Sequence, residues 1–179
     1  MKKRYIVALV AVVMFVSGAM GASAQLRLDG NLMWPFYLGI NIEGLTDGVQ
    51  GTTDLSHYAF LFPEVQLSWQ FGDGALRGGV GLRAFTLILE SFGWPDAWLE
   101  LELKPIVLRA DLGGGWFYAF GLYSNSAVAK VILPQLDVSW KLTDWFRLGV
   151  GALFIAPFDD PSNFGVAVYV GGRFTVVFK

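Results

Sequence analysis

Cysteine is absent from this chain of 179 residues, histidine occurs once, and charged residues make up only 16%. Without cysteine, a disulfide scaffold and a cysteine-ligated metal site are excluded. A globular chain usually carries about a quarter charged residues, so this one has few side chains with which to cover a wet surface. Its apolar content of 54% and aromatic content of 16% exclude a disordered chain, and its length suits a single domain.

The first residues have the three parts of an export signal. A basic start at 2–4 precedes an uninterrupted apolar run at 6–16, and Ala22-Ser23-Ala24 fits a small-residue cleavage site. The run is too short to cross a bilayer as a helix. We therefore assign residues 1–24 to a signal peptide and residues 25–179 to one domain, which holds 10 basic and 15 acidic residues. This acidic balance disfavours a nucleic-acid partner.

The rest of the chain alternates between apolar and polar residues with a period of two, as the strands of a half-exposed sheet do. The alternation first runs over 26–43, with the apolar residues at even positions. It recurs at 64–71, 76–84, 98–104, 108–118, 135–142, 146–152 and 165–178. Eight strands in sequence predict an all-β fold, a single antiparallel up-and-down barrel.

The predicted connections are of two kinds, which alternate along the chain. Tight turns are predicted at 72–74, 104–105 and 143–145, and longer loops rich in Gly, Pro, Asn, Asp and Ser at 44–57, 91–96, about 121–129 and 157–163. One end of the barrel therefore carries the tight turns and the other the long loops. The loops carry mostly acids, with Asp96 assigned to the second of them.

The distribution of charge indicates which face of the barrel is inside. Fourteen of the 25 charges after residue 24 lie in predicted strands, and all take the polar parity. Exclusion of charge from the apolar face is expected if that face contacts lipid, because Arg or Lys facing lipid costs roughly 2–4 kcal/mol at the bilayer midplane. Glycines crowd the polar face, as a cramped lumen requires, and apolar-face aromatics cluster near the strand ends, as in interfacial girdles.

These features favour a transmembrane barrel over a soluble barrel with an apolar core. The other alternative is a transmembrane helix over 112–129, a stretch of 18 uncharged residues. That stretch contains Gly113-Gly114-Gly115 and Ser124-Asn125-Ser126, which indicate a strand entering a loop.

The signal peptide, the eight alternating segments and the Asp-centred turn Leu142-Thr143-Asp144-Trp145-Phe146 together resemble the small outer-membrane β-barrel proteins of diderm bacteria. The resemblance implies export through the periplasm to the outer membrane, with both termini and the tight turns on the periplasmic side. It also implies two partners, outer-membrane lipid and the barrel-assembly machinery. That machinery recognises an aromatic last residue, whereas here Lys179 follows Phe178.

The polar face predicts a network of charges in the lumen. Its predicted members are Arg27, Asp29, Glu64, Arg77, Arg83, Glu100, Glu102, Lys104, Arg109, Asp111, Asp137, Lys141, Arg147 and Arg173. A lone buried charge is costly, so eight basic and six acidic residues in a narrow lumen predict mutual pairing and a plugged interior. Aqueous pores usually need 16 or more strands. The alternative is a hydrated conduit for ions.

Candidate catalytic and metal-binding residues are few. Ser56 and His57 are adjacent, so in a strand they point to opposite faces and cannot share a proton. Glu100 and Glu102 share a face, where Arg77 and Arg83 are expected to neutralise them. The acidic segment 159–163 matches no calcium-loop spacing. No enzyme activity, metal or cofactor is therefore predicted.

Three functional classes remain. The first is a structural or surface-interaction barrel, whose loops meet an extracellular ligand. The second is a narrow transporter for small hydrophobic molecules, and the third, least favoured, is an enzyme that modifies lipid at the rim. The second rests on apolar residues of inward parity near the long-loop end: Met33, Pro35, Tyr37, Phe85, Trp98 and Phe117. It also rests on Pro35 and Pro134, which are expected to interrupt the ladder because proline donates no hydrogen bond.

Overall fold

The structure is a computed structural model that describes residues 24–42, 49–54, 61–86, 90–115, 117–121, 127–160 and 163–178. Nearly all of the predicted signal peptide, residues 1–23, therefore lies outside the described residues. The strands are β1 (Gln25–Ile42), β2 (Val49–Asp54), β3 (Phe62–Phe71), β4 (Leu76–Thr86), β5 (Glu90–Leu103), β6 (Ile106–Gly114), β7 (Phe117–Gly121), β8 (Ala127–Ala129), β9 (Val131–Lys141), β10 (Phe146–Pro157) and β11 (Phe164–Phe178). No helix long and apolar enough to cross a membrane occurs among these residues.

Eight of these strands form a closed antiparallel barrel. Each of β1, β3, β4, β5, β6, β9, β10 and β11 pairs with the next in that order, and β11 pairs back with β1. The closed ring leaves the barrel without a sheet edge. This confirms the predicted all-β, up-and-down arrangement of eight strands. The other three strands, β2, β7 and β8, extend the barrel at its long-loop end.

The barrel is polar inside and apolar outside. Along β3, Glu64, Gln66, Ser68 and Gln70 are at most 3% exposed. The alternate residues Val65, Leu67 and Trp69 are 47–58% exposed. Across the barrel the exposed large side chains are mainly Leu, Val and aromatic residues, whereas the buried ones include five arginines.

The short connections lie where they are predicted, whereas three of the four predicted long loops contain strand segments. Segments 72–75, 104–105 and 142–145 each join two neighbouring strands of the ring. Segment 91–96, however, lies within β5 and pairs with β4, so its prediction as a loop is wrong. Its Gly and Pro residues resemble those of a loop, but the parity of β5 continues through them. Predicted loops 44–57 and 121–129 likewise contain β2, the end of β7, and β8.

A register shift in β1 reverses its alternation near the long-loop end. Pro35 pairs with Tyr169 of β11, but the next pairs are Tyr37 with Val168 and Leu38 with Ala167. The extra residue at this bulge turns Leu38 inward and Tyr37 outward, where it is 37% exposed. The predicted inward position of Tyr37 is therefore wrong, because a strict period of two cannot register a bulge.

Candidate functional site: the barrel lumen

The lumen contains fourteen charged side chains in three overlapping levels, each ion-paired with at least one other. The level nearest the tight turns centres on Glu102. Its carboxylate accepts hydrogen bonds from Lys141 Nζ, at 3.0 Å, and from Arg77. Lys141 also lies 3.0 Å from Asp144, in the exposed turn, and its hydrogen bond lowers the pKa of Asp144.

The middle level centres on Glu100, a fully buried carboxylate. Arg147 lies 2.6 Å from it, Arg77 2.9 Å, Arg27 3.0 Å and Arg109 3.6 Å. Four strands supply these guanidinium groups, β10, β4, β1 and β6, so the cluster spans the lumen.

The arginines of the middle level are joined to a second carboxylate and to an aromatic ring. Asp29 lies 2.9 Å from Arg27 and 3.2 Å from Arg109, and it accepts a 2.6 Å hydrogen bond from the Thr175 hydroxyl. The guanidinium carbons of Arg27 and Arg109 each lie 4.5 Å from the centroid of the Trp98 ring. Contacts of this kind are favourable when the cation is desolvated. Trp98 therefore belongs to the charged layer, not to the apolar long-loop end where it is predicted.

Two arginines organise the level nearest the long loops. Arg83 lies 2.7 Å from Glu64, 3.7 Å from Asp111 and 3.8 Å from Asp96. Arg173 lies 3.2 Å from Asp137, which also accepts the hydroxyl proton of Tyr169 in a hydrogen bond. Gln66 and Gln135 connect these groups, since each of them accepts from an arginine and donates to an aspartate.

Two of the sequence expectations about the network are corrected. Lys104 lies in the turn between β5 and β6 and is exposed, so it stands outside the lumen. Asp96, assigned from sequence to a loop, is 4% exposed and faces Arg83. The described lumen thus holds seven basic and seven acidic side chains, which carry no net formal charge. Continuing the even parity of Glu100 and Trp98 along β5 would have identified Asp96.

A cavity of about 470 Å³ opens at the tight-turn end beside Arg77, Glu102 and Lys141. Farther into the lumen the space between the charged side chains is small. A void of about 10 Å³ is lined in part by Asn31, Arg147 and Arg173, which is roughly the room that one water molecule needs. Asn31 Nδ2 and Arg173 Nη1, which have no hydrogen-bond partner among the described residues, belong to residues lining it. Glycine permits the close packing, because a Cβ at Gly79 would lie 2.7 Å from the Trp98 ring and one at Gly151 would collide with Tyr169.

Above the charges, at the long-loop end, the lumen becomes apolar. A cavity of about 300 Å³ opens there, and every atom that it exposes is apolar. Its lining residues are Met33, Pro35, Leu38, Phe62, Glu64, Phe85, Phe92, Trp94, Leu133, Leu153, Ile155, Ala167 and Tyr169. We call this cavity the apolar cup. Met33, Pro35 and Phe85 lie where the sequence predicts apolar lumen residues, whereas Leu38 enters through the β1 bulge.

The remaining candidates lie elsewhere. Ser56 and His57 are outside the described residues, as is the side chain of Phe117. Asp159 and Asp160 are exposed, and Asp160 accepts a 2.7 Å hydrogen bond from Asn163 within the same turn. Among the described residues, no group of three or more His, Cys, Asp or Glu side chains is arranged to hold a metal ion.

Comparison with known proteins gives structural neighbours only. No family model matches the chain, and no curated protein matches it in sequence. Neisserial surface protein A is 12% identical with a TM-score of 0.47, over 83% of this chain and 96% of that one. The Yersinia pestis attachment invasion locus protein Ail, solved with the heparin analogue sucrose octasulfate, is 8% identical with a TM-score of 0.44, over 86% and 99%. Both are small eight-stranded outer-membrane β-barrels of Gram-negative bacteria.

The chain is similar to these small outer-membrane barrels. At identities of 8–12% the likeness concerns the fold alone.

Proposed function

We propose that this protein is an integral outer-membrane β-barrel with a closed lumen. Its long-loop end carries its role at the outer surface of the membrane. The observation that carries the proposal is the polarity of the barrel, with paired charges inside and an apolar band outside. In water such a band would be a large exposed hydrophobic surface, which soluble monomers avoid. In a bilayer the same band faces lipid, and the strand hydrogen bonds satisfy the backbone.

The charge network supports a closed lumen. Seven positive and seven negative side chains pair across it, so an ion entering must displace partners that are already matched. Between Asn31, Arg147 and Arg173 the network leaves a space of about one water molecule, which supports a lumen without a continuous aqueous path. Eight strands leave room for side chains or one small ligand, not for a wide pore. We propose a binding or structural role without catalysis.

Single-channel recording tests the closed lumen. Residues 25–179 are refolded and inserted in a planar bilayer in concentrated KCl. We expect no conductance steps across a wide voltage range. Insertion is verified on the same preparation by heat-modifiable migration in a gel, and an empty bilayer with the same detergent is the control. Reproducible steps from inserted protein would contradict the closed lumen and favour an ion conduit through the arginine and glutamate levels.

A further inference from the structure

The apolar cup is a cavity built from seven of the eight barrel strands. β1, β3, β4, β5, β9, β10 and β11 each contribute at least one lining side chain, and Met33, Trp94 and Leu133 among them are at most 5% exposed. These residues occupy inward positions that carry charge lower down the same strands. The lumen therefore changes from mainly charged to mainly apolar toward the long-loop end, which separates two layers with different chemistry.

The floor of the cup offers no free charge to a ligand. Glu64 is held 2.7 Å from Arg83, and Tyr169 donates its hydroxyl hydrogen to Asp137 while accepting from Gln135. A ligand with a charged group would have to compete with these contacts in a site that cannot solvate it. The cup therefore selects an uncharged molecule.

Its volume and walls define the class of ligand further. A protein cavity of about 150 Å³ lined by apolar side chains binds benzene, so a cup of about 300 Å³ has room for roughly a dozen carbon atoms. Along one wall the rings of Phe62 and Phe85 are stacked with centroids 4.8 Å apart, and those of Phe85 and Phe92 are 6.1 Å apart. A row of aromatic rings favours a flat aromatic ligand through further offset stacking.

We propose that the apolar cup binds one small, uncharged aromatic molecule of about two fused rings. The proposal rests on the proposed function, because the charged levels below the cup close it toward the tight-turn end. The driving force is burial of apolar surface on both partners, without a hydrogen bond or ion pair.

Equilibrium dialysis with naphthalene tests the site in the full barrel, refolded into lipid nanodiscs. Ala167→Trp places a large ring in the cup. Val168→Trp is the matched control, because the next residue on β11 faces outward. Wild type and the Val168→Trp variant are expected to bind one naphthalene per barrel, in a saturable component above the linear partition into empty nanodiscs. In the Ala167→Trp variant this affinity is expected to fall by more than about tenfold, which is 1.4 kcal/mol.

A second variant keeps the test open if Ala167→Trp does not fold. Leu153→Ala enlarges the cup and is expected to raise the affinity for phenanthrene, with three rings, relative to naphthalene. The absence of a saturable component in the wild type would overturn the proposal. That result is expected if a segment of this chain or a lipid tail fills the cup. Equal binding by all variants would also overturn it. Gel migration and conductance of the same samples separate these outcomes from failure of the barrel itself.

Discussion

Glu100 shows how a single buried carboxylate organises this lumen. It has no exposed side-chain surface and lies within 3.6 Å of four guanidinium groups. Burying so many charges carries a large desolvation cost, which only close pairing offsets. The net contribution of a buried ion pair to the free energy of unfolding is small. Removing one charge from such a cluster nevertheless lowers that free energy strongly, because the remaining charges stay buried without compensation.

Glu100→Gln removes the negative charge while keeping the size of the side chain. We expect the free energy of unfolding to fall by about 3 kcal/mol, since positive charge is left uncompensated in the lumen. Urea titration of the barrel in lipid vesicles, followed by tryptophan fluorescence, measures the change. Asp144→Asn is the matched control: the Asp144 side chain is exposed in the tight turn, so solvent screens its pair with Lys141, and the free energy is expected to stay at the wild-type value. Equal stability of the two variants would contradict the central role of Glu100.

At the scale of strands, proline interrupts the barrel wall at two places near the cup. The register of β1 shifts just after Pro35. The ladder between β9 and β10 passes from the Leu153–Gln135 pair to the Ala156–Ile132 pair, so Pro134 has no partner on that side. Both positions agree with the sequence expectation that proline weakens a ladder. At Pro35 the consequence is larger, because the bulge also exchanges the faces of the residues that follow.

Spin labels on single cysteines test the exchanged faces, since the chain has no cysteine of its own. We expect a label on Tyr37→Cys to collide readily with oxygen dissolved in lipid, and a label on Leu38→Cys to be shielded from it. Below the bulge, Trp34→Cys and Met33→Cys serve as the outward and inward references. Collision rates from power-saturation electron paramagnetic resonance give the result. A shielded label at position 37 and an accessible one at 38 would mean that the strict alternation continues without a bulge.

On the scale of the whole molecule, the barrel reverses the usual distribution of polarity. Its outer surface exposes Leu67, Leu82, Leu136 and Trp140, each at least 47% exposed, while its centre holds paired arginines. Rings of Trp145, Phe146 and Phe174 pack together near the tight turns, with centroids 4.7–5.8 Å apart. Amphipathic aromatics are favoured where lipid tails meet headgroups, so this cluster suits one membrane interface.

An arginine scan of the outer face tests this polarity. Val138 lies mid-strand on β9 and is 49% exposed, whereas Leu142 is 52% exposed in the adjoining tight turn. Because a charge facing lipid is costly only away from the interface, Val138→Arg is expected to destabilise the barrel by roughly 2–4 kcal/mol and Leu142→Arg by about 0–1 kcal/mol. Urea unfolding in vesicles measures both. Equal effects at the two depths would exclude a lipid-facing outer surface.

The sequence by itself determined the eight strands, the closed antiparallel order and the identity of most lumen residues. A period of two places every second side chain on one face, and charged residues are excluded from that face within the strands, so the pattern is strong. Tertiary structure alone decided that Lys104 lies outside the lumen and that Leu38 replaces Tyr37 inside. It also decided which charges pair and where the apolar cup lies. These depend on register, bulges and ring closure, which bring together residues that no local pattern relates.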